Sequence, residues 1–150
     1  MAQPTSGITS LTTLLASMSP TPDPTNTTYV FTTTPTNPLP LLTTTTADLD
    51  VQLLFRESTS WTLILPASQA EALGLETAFP CKKMTLEVHS SLDAVGFLAA
   101  VTTRVATDVG CGINPVSGFW HDHLFVPEGR EGEVLACLRG MAEEASAGEK

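Results

Sequence analysis

The chain has 150 residues and a formal net charge of −9, with seven Lys and Arg against sixteen Asp and Glu. Only 15% of the residues are charged, where about 25% is usual for a soluble domain, and 42% are hydrophobic. This composition excludes wholesale disorder, and the acidic balance argues against binding of a nucleic-acid backbone, which needs clustered Lys and Arg.

Targeting signals and cysteine usage point to a reducing compartment. No run approaches the ~18 apolar residues of a membrane-spanning helix, and no basic residue precedes Arg56, as a signal peptide or presequence would require. The three cysteines, Cys81, Cys111 and Cys137, are odd in number and widely spaced, so we expect free thiols. The sequence therefore predicts a cytoplasmic protein without a cofactor, a metal knuckle or a membrane segment.

The first half of the chain predicts a helix, a short strand, an insertion, a β-hairpin and a second helix. Apolar residues between Ile8 and Met18 are spaced as one face of a helix. The uncharged tract 32–47 holds three prolines and eight threonines, and is predicted to be an inserted, largely unstructured loop. In chain order the ranges are helix 6–18, strand 29–31, insertion 32–47, strands 51–55 and 61–65, and helix 66–73.

The second half predicts a strand, a helix, a hairpin and a final helix. Residues 84–88 alternate between apolar and polar side chains, which is the period of a half-buried strand. Apolar residues from Val95 to Val105 form a helical stripe. In chain order the ranges are strand 84–88, helix 93–107, strands 113–117 and 124–126, a helix beginning at 127–128, and a flexible tail, 145–150. The similar element order of the halves suggests a tandem repeat of two α/β units packed side by side.

Three segments of the second half resemble the ACT domain family. They are MTLEVHSSLDAVGFLAAV (84–101), GINPVS (112–117) and HDHLFVP (121–127). The likeness extends to 51–75 and, more weakly, to 8–31, and is greatest to small stand-alone proteins with two ACT-like units. The resemblance implies an α+β fold of two ferredoxin-like, βαββαβ-type units. The first would span 1–78, including the insertion, and the second 79–144.

The resemblance also implies a class of function. ACT domains are regulatory rather than enzymatic, and most often bind amino acids or similar small metabolites between paired units. Because no catalytic domain is recognised in this chain, we expect a free-standing sensor. It would act as a homodimer or on a separate regulated enzyme.

The loop that leads into helix 93–107 is the candidate binding site. A strand that runs into a helix leaves free backbone N–H groups at the helix start, which suit a carboxylate. The candidate residues in this loop are Ser90, Ser91, Leu92, Asp93, Ala94, Val95 and Gly96. Asp93 either accepts the ammonium group of a ligand or caps the helix, and Gly96 either admits a ligand or allows close helix packing. ACT domains often carry Pro-Gly where this chain has Val95 and Gly96.

A second candidate position lies on the strand that follows the helix. The resemblance implies that Asn114 contacts the ligand, although it could equally satisfy a turn. Pro115 beside it limits strand pairing, which suits a sheet edge or an interface.

Two alternatives remain open at this point. One is a protein interaction or scaffold module that keeps the fold and has lost ligand binding. The other is a small metal-dependent hydrolase that uses His121, Asp122 and His123, with His89 from a neighbouring strand. Polar residues at a hairpin turn explain the same cluster without a metal.

Overall fold

The structure is a computed structural model that describes residues 7–44 and 48–148. In chain order its elements are α1 (Leu11–Ser17), β1 (Pro20–Pro22), β2 (Tyr29–Thr34), α2 (Leu39–Thr44), β3 (Leu53–Arg56), β4 (Trp61–Pro66), α3 (Ala67–Ala72), β5 (Thr77–Leu86), α4 (Phe97–Asp108), β6 (Asn114–Ser117), β7 (Asp122–Pro127) and α5 (Glu131–Gly148). Among the described residues, no helix has the length and apolar character needed to span a membrane.

The chain divides into two units. The continuous unit is Thr27–Cys81, and the split unit comprises the described residues of Met1–Asn26 and Lys82–Lys150. This division differs from the predicted boundaries 1–78 and 79–144, because α1 and β1 group with the second half of the chain. Strand β5 crosses the division, so residues 77–81 belong to the continuous unit and 82–86 to the split unit.

The continuous unit has the order βαββαβ, from β2 to the start of β5. Its sheet order is β3-β4-β2-β5, in which the first and fourth strands of the unit are neighbours. The pairs β2·β4, β3·β4 and β2·β5 are antiparallel. Val30, Leu63, Leu65 and Ala70 form its buried core. The predicted ferredoxin-like α+β fold is therefore confirmed.

The prediction of an unstructured insertion at 32–47 is wrong for the described part of that tract. Residues as far as Thr34 continue β2, and α2 begins at Leu39. Buried Thr32 donates from its Oγ1 to the carbonyl oxygen of Glu76 at 2.6 Å, and the Leu39 N–H donates to Asn37 Oδ1 at 3.0 Å. Threonine is β-branched and suits strands, so a threonine-rich tract is compatible with the end of β2. Residues 45–47 lie outside the described residues.

The split unit follows the same plan with one strand supplied from elsewhere in the chain. Its elements β5-α4-β6-β7-α5 have the order βαββα, which lacks the final strand of βαββαβ. Strand β1, from the N-terminal part of the chain, pairs with β5 and takes the place of that missing strand. The antiparallel register pairs Pro20 with Leu86 and Pro22 with Met84. Prolines cannot donate a hydrogen bond to a strand ladder and are tolerated at sheet edges. A segment with two prolines is therefore not predicted as a strand from the sequence.

The core of the split unit lies between its sheet and the helices α1, α4 and α5. Its buried side chains are Leu14, Met18, Met84, Leu86, Val88, Phe97, Val101, Val105, Leu124, Val126, Val134 and Leu138. Burial of each large apolar side chain contributes about 1.5–3 kcal/mol to stability. This core fixes the start of α4, and with it the loop that carries the candidate site.

Several helix boundaries differ from those predicted. Helix α1 begins after an N-cap at Ser10, and α5 begins at Glu131 because β7 continues to Pro127. Helix α5 also includes residues 145–148 of the predicted flexible tail. All three cysteines are free thiols, with Cys81 buried and the other two half-buried.

Candidate functional site

The N-terminal segment holds the loop between β5 and α4 in place. The Ile8 N–H donates to the His89 carbonyl at 2.8 Å, and the Ser91 N–H donates to the Ile8 carbonyl at 2.9 Å. These bonds form a parallel bridge between Ile8 and Ser90. Gly7 packs so closely that a Cβ atom there would lie 2.5 Å from the Ser91 nitrogen. The loop is therefore clamped by backbone contacts to a distant part of the chain.

Helix α4 starts later than predicted, and Asp93 does not cap it. The N-cap is Gly96, whose φ of 89° lies in the left-handed region that glycine adopts most easily. Asp93 is exposed in a turn, and its N–H donates to Ser91 Oγ at 3.2 Å. The first turn of α4 therefore has no side-chain cap, and its leading N–H groups lie outside the helical hydrogen-bond ladder.

A cavity of about 220 Å³ lies against this helix start. Its lining residues are Ser90, Ser91, Leu92, Ala94, Gly96, Phe97, Leu98, Ala99, Ser117 and Asp122. The cavity brings together most of the predicted loop residues. Asp93 and Val95 are not among its lining residues, and neither are Asn114 and Pro115, which pair with Phe125 and Leu124 at the other end of β6.

Asp122 is the cavity residue that the sequence reasoning assigned to a different role. Its side chain is 5% exposed, and it shares a strand face with buried Leu124 and Val126. Ser90 Oγ donates to Asp122 Oδ2 at 2.6 Å, and Ser117 Oγ donates to Oδ1 at 2.7 Å. The signal that could have found it is the hairpin register, which places Ser117 directly opposite Asp122.

The histidines near Asp122 have other contacts. His123 Nδ1 lies 3.0 Å from Thr85 Oγ1, and the His89 ring lies 4.9 Å from the Trp120 ring. Within residues 7–44 and 48–148, no group of three or more His, Cys, Asp or Glu side chains is arranged to hold a metal ion. The described geometry thus offers no support for the hydrolase alternative.

We expect His123 to make stability fall as the solution is acidified. Burial lowers the pKa of His123 below its ordinary value, and the charges of Lys83 and His121 lower it further. Between the lowered pKa and the ordinary value, the unfolded chain binds more protons than the folded one, so stability rises with pH through this window and is lost as pH falls through it. Thermal unfolding between about pH 7.5 and 5 should show a smaller loss for His123→Gln than for the wild type. Identical pH dependence in the two proteins would contradict this assignment.

The fold and the position of the cavity define a ferredoxin-like α+β protein with a concave site at the connection between β5 and α4. The family model of the ACT domain matches residues 6–82, which is half of the chain. The chain belongs to the ACT domain family. The predicted family membership is therefore confirmed. Members of this family have regulatory roles and bind small molecules.

Solved structures show how widely the architecture is shared. A Vibrio cholerae protein of unknown function, described as a possible transport protein, is 37% identical, with 91% of this chain and 99% of that chain covered and a TM-score of 0.75. An Agrobacterium tumefaciens protein is 16% identical over 83% of this chain and 89% of that one, with a TM-score of 0.65.

The alpha and beta subunits of an aspartokinase give 14% identity, 83% and 97% coverage of this chain and that one, and a TM-score of 0.57. At such low identity the last two structures indicate the fold alone. No protein with a curated description matches the sequence.

Proposed function

We propose that the protein is an ACT-type regulatory module that reversibly binds a small amino acid in the cavity at the start of α4. The observation that carries this proposal is the cavity itself, at the strand-to-helix loop of an ACT-family chain. Uncapped N–H groups at the start of α4 favour the carboxylate of such a ligand. The volume of about 220 Å³ is below the ~300–1,000 Å³ of sites for drug-sized ligands, which favours a small metabolite.

Regulation requires the ligand to bind one state of the protein better than another. The candidate responsive part is the loop that contains Ser90 and Gly96, because it lines the cavity and only its first residues are held by the two hydrogen bonds with Ile8. We propose that ligand binding orders this loop, and that a second copy of the chain or a separate enzyme responds to the change. The free cysteines support a cytoplasmic location for this role.

We expect selective thermal stabilisation by one or a few of the twenty amino acids at millimolar concentration. A ligand at ~100 times its dissociation constant adds about 2.7 kcal/mol to the free energy of unfolding. This corresponds to an increase of about 4 °C or more in Tm for a domain of this size. Differential scanning fluorimetry of the full chain measures this shift.

The cavity-filling variant Ala94→Leu is the control for that experiment. Ala94 lines the cavity and is half-buried, so a larger side chain there should occupy the ligand volume. Because Ala94 also packs against the core, the Tm of the ligand-free variant is compared with that of the wild type to check that the fold is kept. A shift that persists in Ala94→Leu would mean that the amino acid binds elsewhere. Absence of any shift in the wild type would contradict the proposed function.

A protein interaction module is the second candidate function, and one observation favours it. Leu92 and Val95 in the loop are 68% and 83% exposed, and Phe119 and Trp120 in the β6–β7 turn are 55% and 51% exposed. The rings of Phe119 and Trp120 lie 5.0 Å apart, and adjacent exposed apolar side chains commonly mark protein contacts. Replacing Trp120 with serine should weaken self-association in sedimentation experiments if this surface pairs two copies.

A further inference from the structure

The cavity contains a buried carboxylate that forms no ion-pair contact within the described residues. Asp122 is 5% exposed, and no Lys, Arg or His nitrogen of residues 7–44 or 48–148 lies within 4.0 Å of its carboxylate. Removal of an ionised carboxylate from water is costly unless it is hydrogen-bonded and paired with a positive charge. Two serine hydroxyls supply hydrogen bonds at 2.6 and 2.7 Å, but neither supplies charge.

The surroundings of Asp122 hold its carboxylate in a fixed orientation. The hydroxyls of Ser90, from the loop, and Ser117, from the facing strand, each bind a different oxygen of the carboxylate. Ser90, Ser117 and Asp122 all line the cavity. Each carboxylate oxygen can accept more than one hydrogen bond, so both retain capacity for a donor inside the cavity.

The other acidic residue of this neighbourhood does not meet these conditions. Asp93 is exposed, does not line the cavity, and lies in the turn before α4. An exposed carboxylate is screened by water and interacts weakly with a bound cation. The predicted role of Asp93 as acceptor for a ligand ammonium is therefore better matched by Asp122.

We propose that Asp122, oriented by Ser90 and Ser117, binds the ammonium group of the ligand and makes the cavity selective for primary amines. The inference rests on the proposed function and deepens it, because it names the chemical group that the site recognises. A compound in which a hydroxyl replaces the ammonium leaves Asp122 buried without a positive partner. Discrimination between these two classes is consequently large.

Isothermal titration calorimetry on the full chain tests this inference. The probes are the protein amino acids, glycolate and L-lactate as the 2-hydroxy counterparts of glycine and L-alanine, and ethanolamine as an amine without a carboxylate. The proteins are the wild type, Asp122→Asn and, as the matched control, Asp93→Asn. Loss of one member of a buried charge pair should weaken amino acid binding at least about 30-fold in Asp122→Asn. Asp93→Asn should change it by less than about threefold.

The outcomes separate this inference from the function on which it rests. Amino acid binding that is at least about 30-fold weaker in Asp122→Asn, and much stronger than binding of the hydroxy acid, supports both. Equal affinity in Asp122→Asn, or equal affinity of the wild type for an amino acid and its hydroxy counterpart, overturns the inference and leaves the function standing. Asp122-dependent binding of ethanolamine without any amino acid supports the inference and overturns the function.

Absence of binding by every probe overturns both. If Asp122→Asn does not fold, which circular dichroism reveals, the comparison of amino acids with hydroxy acids on the wild type decides the inference alone.

Discussion

Replacement of Phe97 with alanine is expected to lower the free energy of unfolding by about 3–5 kcal/mol. Phe97 is the first residue of α4 and is only 3% exposed, and its side chain belongs to the core of the split unit. Truncation removes its apolar contacts and leaves a void that the surrounding side chains fill only in part. Urea denaturation followed by circular dichroism measures the change.

The same substitution should also weaken ligand binding, because Phe97 lines the cavity. Phe119→Ala is the matched control, since this phenylalanine belongs to the same unit but is 55% exposed. We expect it to cost less than about 1 kcal/mol. Similar losses for the two variants would show that the start of α4 is not anchored by the core in the way described.

Replacement of Gly7 with alanine is expected to release the loop from the N-terminal segment. The new Cβ atom would lie 2.5 Å from Ser91 N and 2.7 Å from Ser90 C, both of which are backbone atoms that cannot rotate away. Overpacking of this kind costs about 1–3 kcal/mol. If the segment moves away instead, the two hydrogen bonds of Ile8 are lost, at about 0.5–1.5 kcal/mol each.

Hydrogen exchange of the Ser91 amide reports this release directly, because that amide donates to the Ile8 carbonyl. Its exchange should become faster in Gly7→Ala, with a parallel loss of ligand affinity. Gly112→Ala is the control, since no atom lies within 4 Å of the position of its Cβ. Equal protection of Ser91 in both variants would exclude a clamping role for residues 7 and 8.

The elements that were predicted correctly from the sequence are those in which apolar residues recur with a clear periodicity. The hairpin of β3 and β4 and the order strand, helix, hairpin, helix of the second half follow from alternating or helical spacing of apolar residues. Elements without such a periodic pattern form because of their tertiary contacts. Strand β1 consists of Pro-Thr-Pro and is a strand only because β5 provides its partner, residue by residue, from 62 or more positions further along the chain.

The candidate site was predicted from the sequence in its location but not in its chemistry. The loop residues Ser90 and Gly96 do line the cavity, because a strand that enters a helix creates this geometry locally. Asp122 joins them through strand register and through a hydrogen bond with Ser90, across a sequence separation of 32 residues. An interaction of that range leaves no local pattern, so the sequence analysis placed Asp93 in the binding loop and assigned Asp122 to a separate metal-binding alternative.

The pairing of β1 with β5 also has a consequence for folding during synthesis on the ribosome. Residues 20–22 leave the exit tunnel well before residues 84–86, with which they pair. The continuous unit, which spans Thr27 to Cys81, is synthesised in the interval. Non-local pairing of this kind carries a loop-closure cost and slows folding. In the nascent chain, residues 20–22 therefore remain unpaired until β5 has been synthesised. The prolines at both ends of this segment disfavour its pairing with a wrong strand in the meantime.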